Sequence, residues 1–353
     1  MPVSTHRRPG IPVIAMVAFL GALLGSSPGW GYRFYRSFDA DSRVPRSDEA
    51  RRWSDAVWGP GDTLVWHVLD DPVWQPHFSG AEELLPSVEE SLDTWTRVPS
   101  ADVRWRVDGI LAGAQVGLDG RHTVSAEETE DFGGQARGWS RSRGGGPWER
   151  IECDVVLSTD YVERLAQSND SRLNTLLHEF GHCLGLQHAA TTPTIRWDWR
   201  WTDSSIWQKD PQMSYGRDID SSLTEDEVIG ASLLRPAQGW QRSTGSISGR
   251  VRHESGAARF VSVHVLRNEG GRARPGVQVF TDEDGGFLAE GLAPGEYVVW
   301  IHPMFRHDAH PPLLSAGAVT DARDMLLTGR HRVRAGQETP AGEFTVIRDR
   351  DRR

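Results

Sequence analysis

His178-Glu179-Phe180-Gly181-His182-Cys183-Leu184-Gly185-Leu186-Gln187-His188 is the stretch on which the reading of this chain turns. Histidines at i and i+4 project from one side of a helix about a turn apart, so both imidazoles reach a single ion. A catalytic zinc takes three protein ligands and keeps one position open for water. His188 can be the third ligand only if the helix stops and the chain turns back. Gly185 suits that stop, because a glycine just past a helix end adopts the left-handed conformation at little cost. Glu179 sits beside the first ligand, too close in sequence to be an easy fourth. Its expected role is general base: it takes a proton from a zinc-activated water and hands it to the leaving amine.

Outward from this run, Leu173, Leu176 and Leu177 give the helix an apolar face, and Asp170 or Ser171 can cap it. Upstream, Thr63 to Leu69 and Val103 to Val107 read as strands. Val88, Leu92 and Trp95 share a helical face. That helix starts either at Ser79, which makes a capping box with Glu82, or at Pro86 in its first turn. Arg121 to Ala126, Gln135 to Ser140 and Ile151 to Ser158 are further strands; the last points Cys153 inward with Ile151, Val155 and Leu157. Thr224 and Glu227 form a capping box before a helix that Pro236 stops. Beyond a polar linker at 237–243 the chain turns to short β-prone runs. These are Ile247 to Val251, Val261 to Arg267, Val277 to Thr281 and Gly295 to Ile301, with a turn at Asp282 to Gly286.

A formal charge of -10 over 353 residues argues against nucleic acid as the partner. His6, Arg7 and Arg8 precede an apolar run from Ile11 to Gly25, followed by small residues that suit cleavage before Tyr32. Residues 1–31 thus read as a signal peptide. The alternative is an uncleaved anchor, but the run falls short of the roughly 20 apolar residues a span needs. The expected location is secreted, periplasmic or extracellular, with no stable membrane insertion once the signal is removed. Residues 32–61 are either a short pro-segment or an arm packed on the domain that follows. The two cysteines, Cys153 and Cys183, suggest a disulfide in an exported chain; two buried thiols are the other reading.

The extended H-E-x-x-H-x-x-G-x-x-H pattern resembles the metzincin zinc endopeptidases. Asp210-Pro211-Gln212-Met213-Ser214-Tyr215-Gly216 is similar to that family's Met-turn. The resemblance implies that Met213 packs beneath the three imidazoles. It implies that Tyr215 either ligates zinc or hydrogen-bonds the oxyanion, the plainer reading being a packed tyrosine. Leu223 to Pro236 looks like the closing helix of matrixin-like members, and the family's order makes Gln135 to Ser140 the edge that pairs with an extended peptide. The resemblance covers 62–236. It departs at Ala189, where matrixins usually carry serine, and in having no propeptide cysteine to silence the zinc. A calcium ion has no clear motif, although Asp154 lies on a similar strand. Trp197, Trp199, Trp201 and Trp207 either line the cleft or pack their loop.

Ser248-Gly249-Arg250-Val251, Thr281 to Phe287 and Gly291-Leu292-Ala293-Pro294-Gly295-Glu296-Tyr297-Val298-Val299 resemble the carboxypeptidase regulatory-like sandwich, placed at 244–348. The expected architecture is therefore an α+β metzincin-like domain, with a mixed twisted sheet and a zinc-site helix, followed by an all-β prealbumin- or immunoglobulin-like sandwich. The expected function is a zinc-dependent endopeptidase with one catalytic Zn2+, acting on protein or peptide. Its C-terminal domain would dock on substrate or extracellular matrix. The competing reading is a catalytically weak or inactive relative that works as a binding or adhesion module through that sandwich.

Overall fold

A computed structural model of the chain describes residues 33–34, 52–70, 80–113, 115–128, 133–142, 148–159, 169–187, 211–213, 221–270, 272–302, 319 and 325–347. In chain order its elements begin with β1 (Arg33–Phe34), α1 (Asp55–Trp58), β2 (Leu64–Leu69), a 3-10 turn (Ala81–Glu83), α2 (Leu85–Thr96) and β3 (Trp105–Leu111). There follow β4 (His122–Glu127), β5 (Gly134–Ser142), β6 (Trp148–Ser158), α3 (Asn169–Leu184) and β7 (Leu186–Gln187). After α4 (Glu225–Leu234) and α5 (Trp240–Ser243) come β8 (Gly245–His253), β9 (Gly256–Ala257), β10 (Ser262–Glu269) and β11 (Arg272–Phe280). The series closes with β12 (Gly286–Leu292), β13 (Gly295–His302), β14 (Met325–Val333) and β15 (Glu338–Val346).

The chain is mostly β-structure with few helices among the described residues. A five-stranded sheet runs in the order β3-β2-β4-β6-β5. The first four strands are parallel, and β5 lies antiparallel to β6 at the edge. Strands β4 and β6 carry near-continuous buried runs, including Val124, Ala126, Val155, Val156 and Leu157, as interior strands covered on both faces do. Against the sheet lie α2 and α3. Val88, Leu92 and Trp95 recur at helical spacing and all are buried, which is the face the sequence predicts. The helix starts at Leu85 with Pro86 in its first turn, so the earlier start is not taken; Ser79 lies outside the described residues. Proline fits there because a first-turn N–H has no intrahelical acceptor to lose. Asp170 and Ser171 fall inside α3, which begins at Asn169 rather than after a cap at either.

Tryptophan fills much of this core. Trp58, Trp66, Trp95 and Phe180 are fully buried, and Trp66 meets Phe180 edge-on with ring centroids 4.8 Å apart. Trp95 also donates its indole N–H to the Leu177 carbonyl at 3.1 Å, joining α2 to α3. Cys153 on β6 and Cys183 at the end of α3 form a disulfide. Sheet and helix are thus covalently tied at one point.

The C-terminal region is a β-sandwich of two sheets, β11-β10-β13-β14 and β12-β8-β15, with β9 paired to β8. Val263, Val265, Val277, Val279, Val299 and Ile301 of the first sheet join Ile247, Val251, Phe287 and Ala289 of the second in one apolar cluster. The turn after β11 leads to the other sheet rather than back into its own. Asp282 shapes it by accepting the N–H groups of Asp284 and Gly286. Gly285 has φ +78°, and a Cβ there would lie 2.2 Å from the Val251 carbonyl oxygen.

The sandwich is packed on α4. Gln278 in the edge strand β11 donates its backbone N–H to Asp226 Oδ1 at 3.1 Å, so a helix covers part of that edge. Gly291 is held against Ile229 and the Trp240 ring. The segment 237–243, read as a linker, carries the short helix α5. No helix among the described residues is long and apolar enough to cross a membrane.

Closing a loop between residues 30 apart stabilises a fold by roughly 3–4 kcal/mol through the unfolded chain. The double substitution Cys153→Ala/Cys183→Ala is expected to lower urea-unfolding stability by about that amount, measured beside the oxidised wild type. An unchanged midpoint would show that the bridge constrains nothing.

Candidate metal centre

Helix α3 brings His178 and His182 onto one side, with ring centroids 4.7 Å apart and planes at 88°. Both are almost fully buried. His178 Nδ1 lies 2.9 Å from the Gln212 carbonyl, and His182 Nδ1 lies 2.8 Å from the Leu186 carbonyl. A carbonyl oxygen only accepts, so each Nδ1 carries the ring proton and each Nε2 bears the lone pair. That is the tautomer through which an imidazole ligates a metal, oriented as such ligands usually are by a backbone acceptor. Burial holds His178 down to about 4, and burial with the neighbouring His178 and Arg150 holds His182 well below its ordinary value. Both rings are therefore neutral near pH 7.

Glu179 lies between the helix and the sheet edge. Burial pushes its carboxyl up to about 8, opposed by a hydrogen bond from the Ala136 backbone in β5. Contact this close depends on Gly134. A Cβ there would sit 2.7 Å from Thr175 Cγ2 and 2.9 Å from Glu179 Cγ. The side of β5 away from β6 is the edge of its sheet.

The end of α3 comes directly after the second histidine. Gly185, at φ +127°, ends the helix, and its N–H reaches the carbonyls of Gly181 at 3.2 Å and His182 at 3.1 Å. The buried Arg150 guanidinium donates to the His182 and Cys183 carbonyls, and Trp53 Nε1 donates to the Cys183 carbonyl at 3.0 Å. Carbonyls left open at a buried helix end need such donors. The chain then runs into β7, whose Leu186 carbonyl orients His182.

Met213 packs against the helix turn that carries both histidines. A Cβ on Gly181 would fall 2.2 Å from Met213 Sδ, so only glycine admits the thioether at that spot. Its backbone N–H is held by Glu227 Oε1 at 3.0 Å. The other oxygen of Glu227 accepts the Thr224 N–H at 2.8 Å and hydroxyl at 2.6 Å. Gln212 adds a bond from Nε2 to the Asn174 carbonyl at 2.6 Å.

Of the residues singled out in the sequence, His178, Glu179, His182 and Met213 come together. Cys153 and Cys183 are bridged. His188, Tyr215 and the tryptophans at 197–207 lie outside the described residues. Among the described residues no group of three or more His, Cys, Asp or Glu side chains gathers to hold an ion. Sequence reasoning missed Gln212, Arg150, Trp53, Gly134 and the hold of Glu227 on Met213. The capping box at Thr224 was the one visible signal among these, and it marked Glu227 for a different task.

No family model matches the chain, and neither does any curated protein. Among solved structures the chain is similar to BcpA, the major pilin subunit of Bacillus cereus, at 12% identity over 30% of each chain with a TM-score of 0.20. It is similar to (S)-allantoin synthase at 14% identity, over 34% of this chain and 48% of that one, TM-score 0.20. It is similar to the GM1-bound ECX AB5 holotoxin at 12% identity, over 59% of this chain and 89% of that one, TM-score 0.28. The chain spans about 30% of the pilin's length. Likeness at this level carries no argument about fold or function.

A second buried acidic group lies on β6. Asp154 accepts from the Thr123 N–H and hydroxyl at 2.9 and 2.8 Å and from the Gly117 N–H at 3.0 Å. Glu152 accepts from the Asp119 and Gly120 N–H groups. The two carboxylates pin the loop ahead of β4.

Two outcomes are expected. Glu227→Ala leaves the buried Met213 N–H without its acceptor, which costs roughly 1–3 kcal/mol of unfolding stability, and Glu227→Gln recovers part of it. Equal stability of the alanine variant and wild type would remove Glu227 from its holding role. Burial pushes Asp154 up to about 7 from its ordinary 3.8. Because the folded value lies above the unfolded one, its contribution is present in full below about pH 4 and lost as pH rises through about 7. Asp154→Asn should flatten that part of the stability profile, measured by urea unfolding from pH 4 to 8.

Proposed function

We propose that the chain is a secreted zinc-dependent endopeptidase with a metzincin-like, matrixin-like catalytic domain. The observation that carries the reading is the paired orientation of His178 and His182. Both rings are neutral, each donates its Nδ1–H to a backbone carbonyl, and Glu179 is buried beside them. This donor set fits zinc, which takes neutral imidazole nitrogen and prefers three protein ligands at a catalytic site. His178 and His182 would hold the ion, with His188 as the third ligand. Zinc, when bound, supplies Lewis acidity to the scissile carbonyl and to a water.

The chain's own residues do the remaining work. Glu179 takes a proton from the attacking water on its carboxylate and delivers it to the leaving nitrogen. Its raised affinity for a proton, produced by burial, suits a group that must both accept and return one near neutral pH. Ala136 and Gly134 hold that carboxylate close to α3. The outer side of β5 offers backbone groups to an extended peptide, which would add to the sheet as a further strand. Tyr215 is assigned to the oxyanion or to the metal. Met213 supports the histidines from beneath. The disulfide and the N-terminal apolar segment favour an exported protein. The C-terminal sandwich is assigned to docking on substrate or matrix.

The test is hydrolysis of a peptide library and of casein by the zinc-loaded protein beside Glu179→Ala. Loss of the base should cut the rate by about 100- to 10,000-fold while zinc content stays at one per chain. Wild-type protein that binds zinc yet cleaves neither substrate would favour the binding-module reading. Folded protein without stoichiometric zinc would end the metalloenzyme reading altogether.

A further inference from the structure

The N-terminal arm touches the turn between the second and third proposed ligands from both sides. Ahead of Gly185, Trp53 donates its indole N–H to the Cys183 carbonyl at 3.0 Å. After Gly185, β1 pairs antiparallel with β7, setting Phe34 opposite Leu186 and Arg33 opposite Gln187. Leu186 is the residue whose carbonyl orients His182. Among the described residues β1 is the strand partner of β7, and the two form a sheet of their own.

The arm is also anchored in depth. Arg150 donates its N–H to the Arg52 carbonyl and accepts the Ser54 N–H, both at 2.8 Å, so residues 52–54 run beside β6. The Arg52 guanidinium reaches the carbonyls of Leu233 and Leu234 at 3.1 and 2.5 Å, at the end of α4. Trp53 is 5% exposed and belongs to the main apolar cluster. A two-residue strand following a glycine has little to fix its direction by itself, and ordering a free backbone segment costs conformational entropy. Pairing with β1 supplies that order where the Leu186 carbonyl must be aimed.

We propose that the N-terminal arm is a permanent part of the metal centre, in which Arg33–Phe34 and Trp53 are positioning residues for the turn leading from His182 to His188. This rests on the zinc reading above. It makes Arg33–Phe34 and residues 52–54 a retained brace, so that the segment 32–61 carrying them is not a removable pro-segment. Removal of the signal alone then yields the working form, and a later cut within the arm inactivates it.

The experiment compares full-length secreted protein with Arg33→Pro/Phe34→Pro, which removes both backbone donors of β1, and with Trp53→Phe, which removes the indole donor. Zinc alone is titrated against a competing chelator, and cobalt is substituted so that its visible spectrum reports ligand geometry. The urea midpoint of the metal-free protein is read beside both. Zinc affinity is expected to fall about 10- to 100-fold in each variant, with an altered cobalt spectrum. Intact mass of the mature active protein should include the arm. Affinity within twofold of wild type in both variants overturns the inference. So does a fall in the metal-free midpoint large enough to account for the whole loss, or mature active protein that lacks residues 32–61. If wild type binds no zinc, the zinc reading falls and this inference with it; equal binding by wild type and variants overturns this inference alone.

Discussion

The backbone carbonyls at the end of α3 impose the constraint around which the rest of the first domain is arranged. The helix stops two residues after its second histidine, in the protein interior, where water cannot satisfy what the helix leaves open. Donors therefore converge there: Arg150 from β6 and Trp53 from the arm, both far away in sequence, and the N–H of the adjoining Gly185. The disulfide from Cys153 fastens the same point to the sheet. A helix end tied in this way can turn sharply and still hold His182 at a defined angle.

Beneath the histidines a single helical turn serves two regions. Glu227 faces inward and holds the Met213 N–H, while the adjacent Asp226 takes an N–H from the edge strand of the sandwich. Both carboxylates are buried, so each requires its partner, and their positions on α4 are linked by the helix backbone. The sandwich is thereby packed against the element that supports the floor of the site. Its placement is thus linked, through α4, to the residues that surround the candidate site.

On the opposite side, the approach of β5 sets the environment of Glu179. Gly134 leaves no side chain between strand and helix, and Ala136 offers its N–H. The carboxyl is then buried close against the strand backbone. It keeps one hydrogen bond while paying the desolvation that raises its proton affinity. A larger residue at Gly134 would force the two elements apart and return water to the carboxyl.

The sequence by itself determined what depends on periodicity and local stereochemistry. Histidines one turn apart share a helix face wherever that helix lies, Gly185 marks its end, and Val88, Leu92 and Trp95 declare the buried stripe of α2. The capping box at Thr224 and four of the sandwich strands followed from the same local rules, with ends shifted by a few residues. Strands β12, β14 and β15 have no strand assignment from the sequence: β12 and β14 carry glycines at 286, 291 and 329, and β15 is half-exposed or exposed up to its last residue, so none of the three shows a strong apolar signal. Only the tertiary structure decided which carbonyl orients each histidine, which carboxylate holds Met213, that Arg52 reaches the end of α4, and that Trp53 and Trp58 pack into the core. Those contacts join residues as much as 182 positions apart. No local pattern encodes such pairings, because a buried polar group is satisfied by whatever donor the completed fold brings to it.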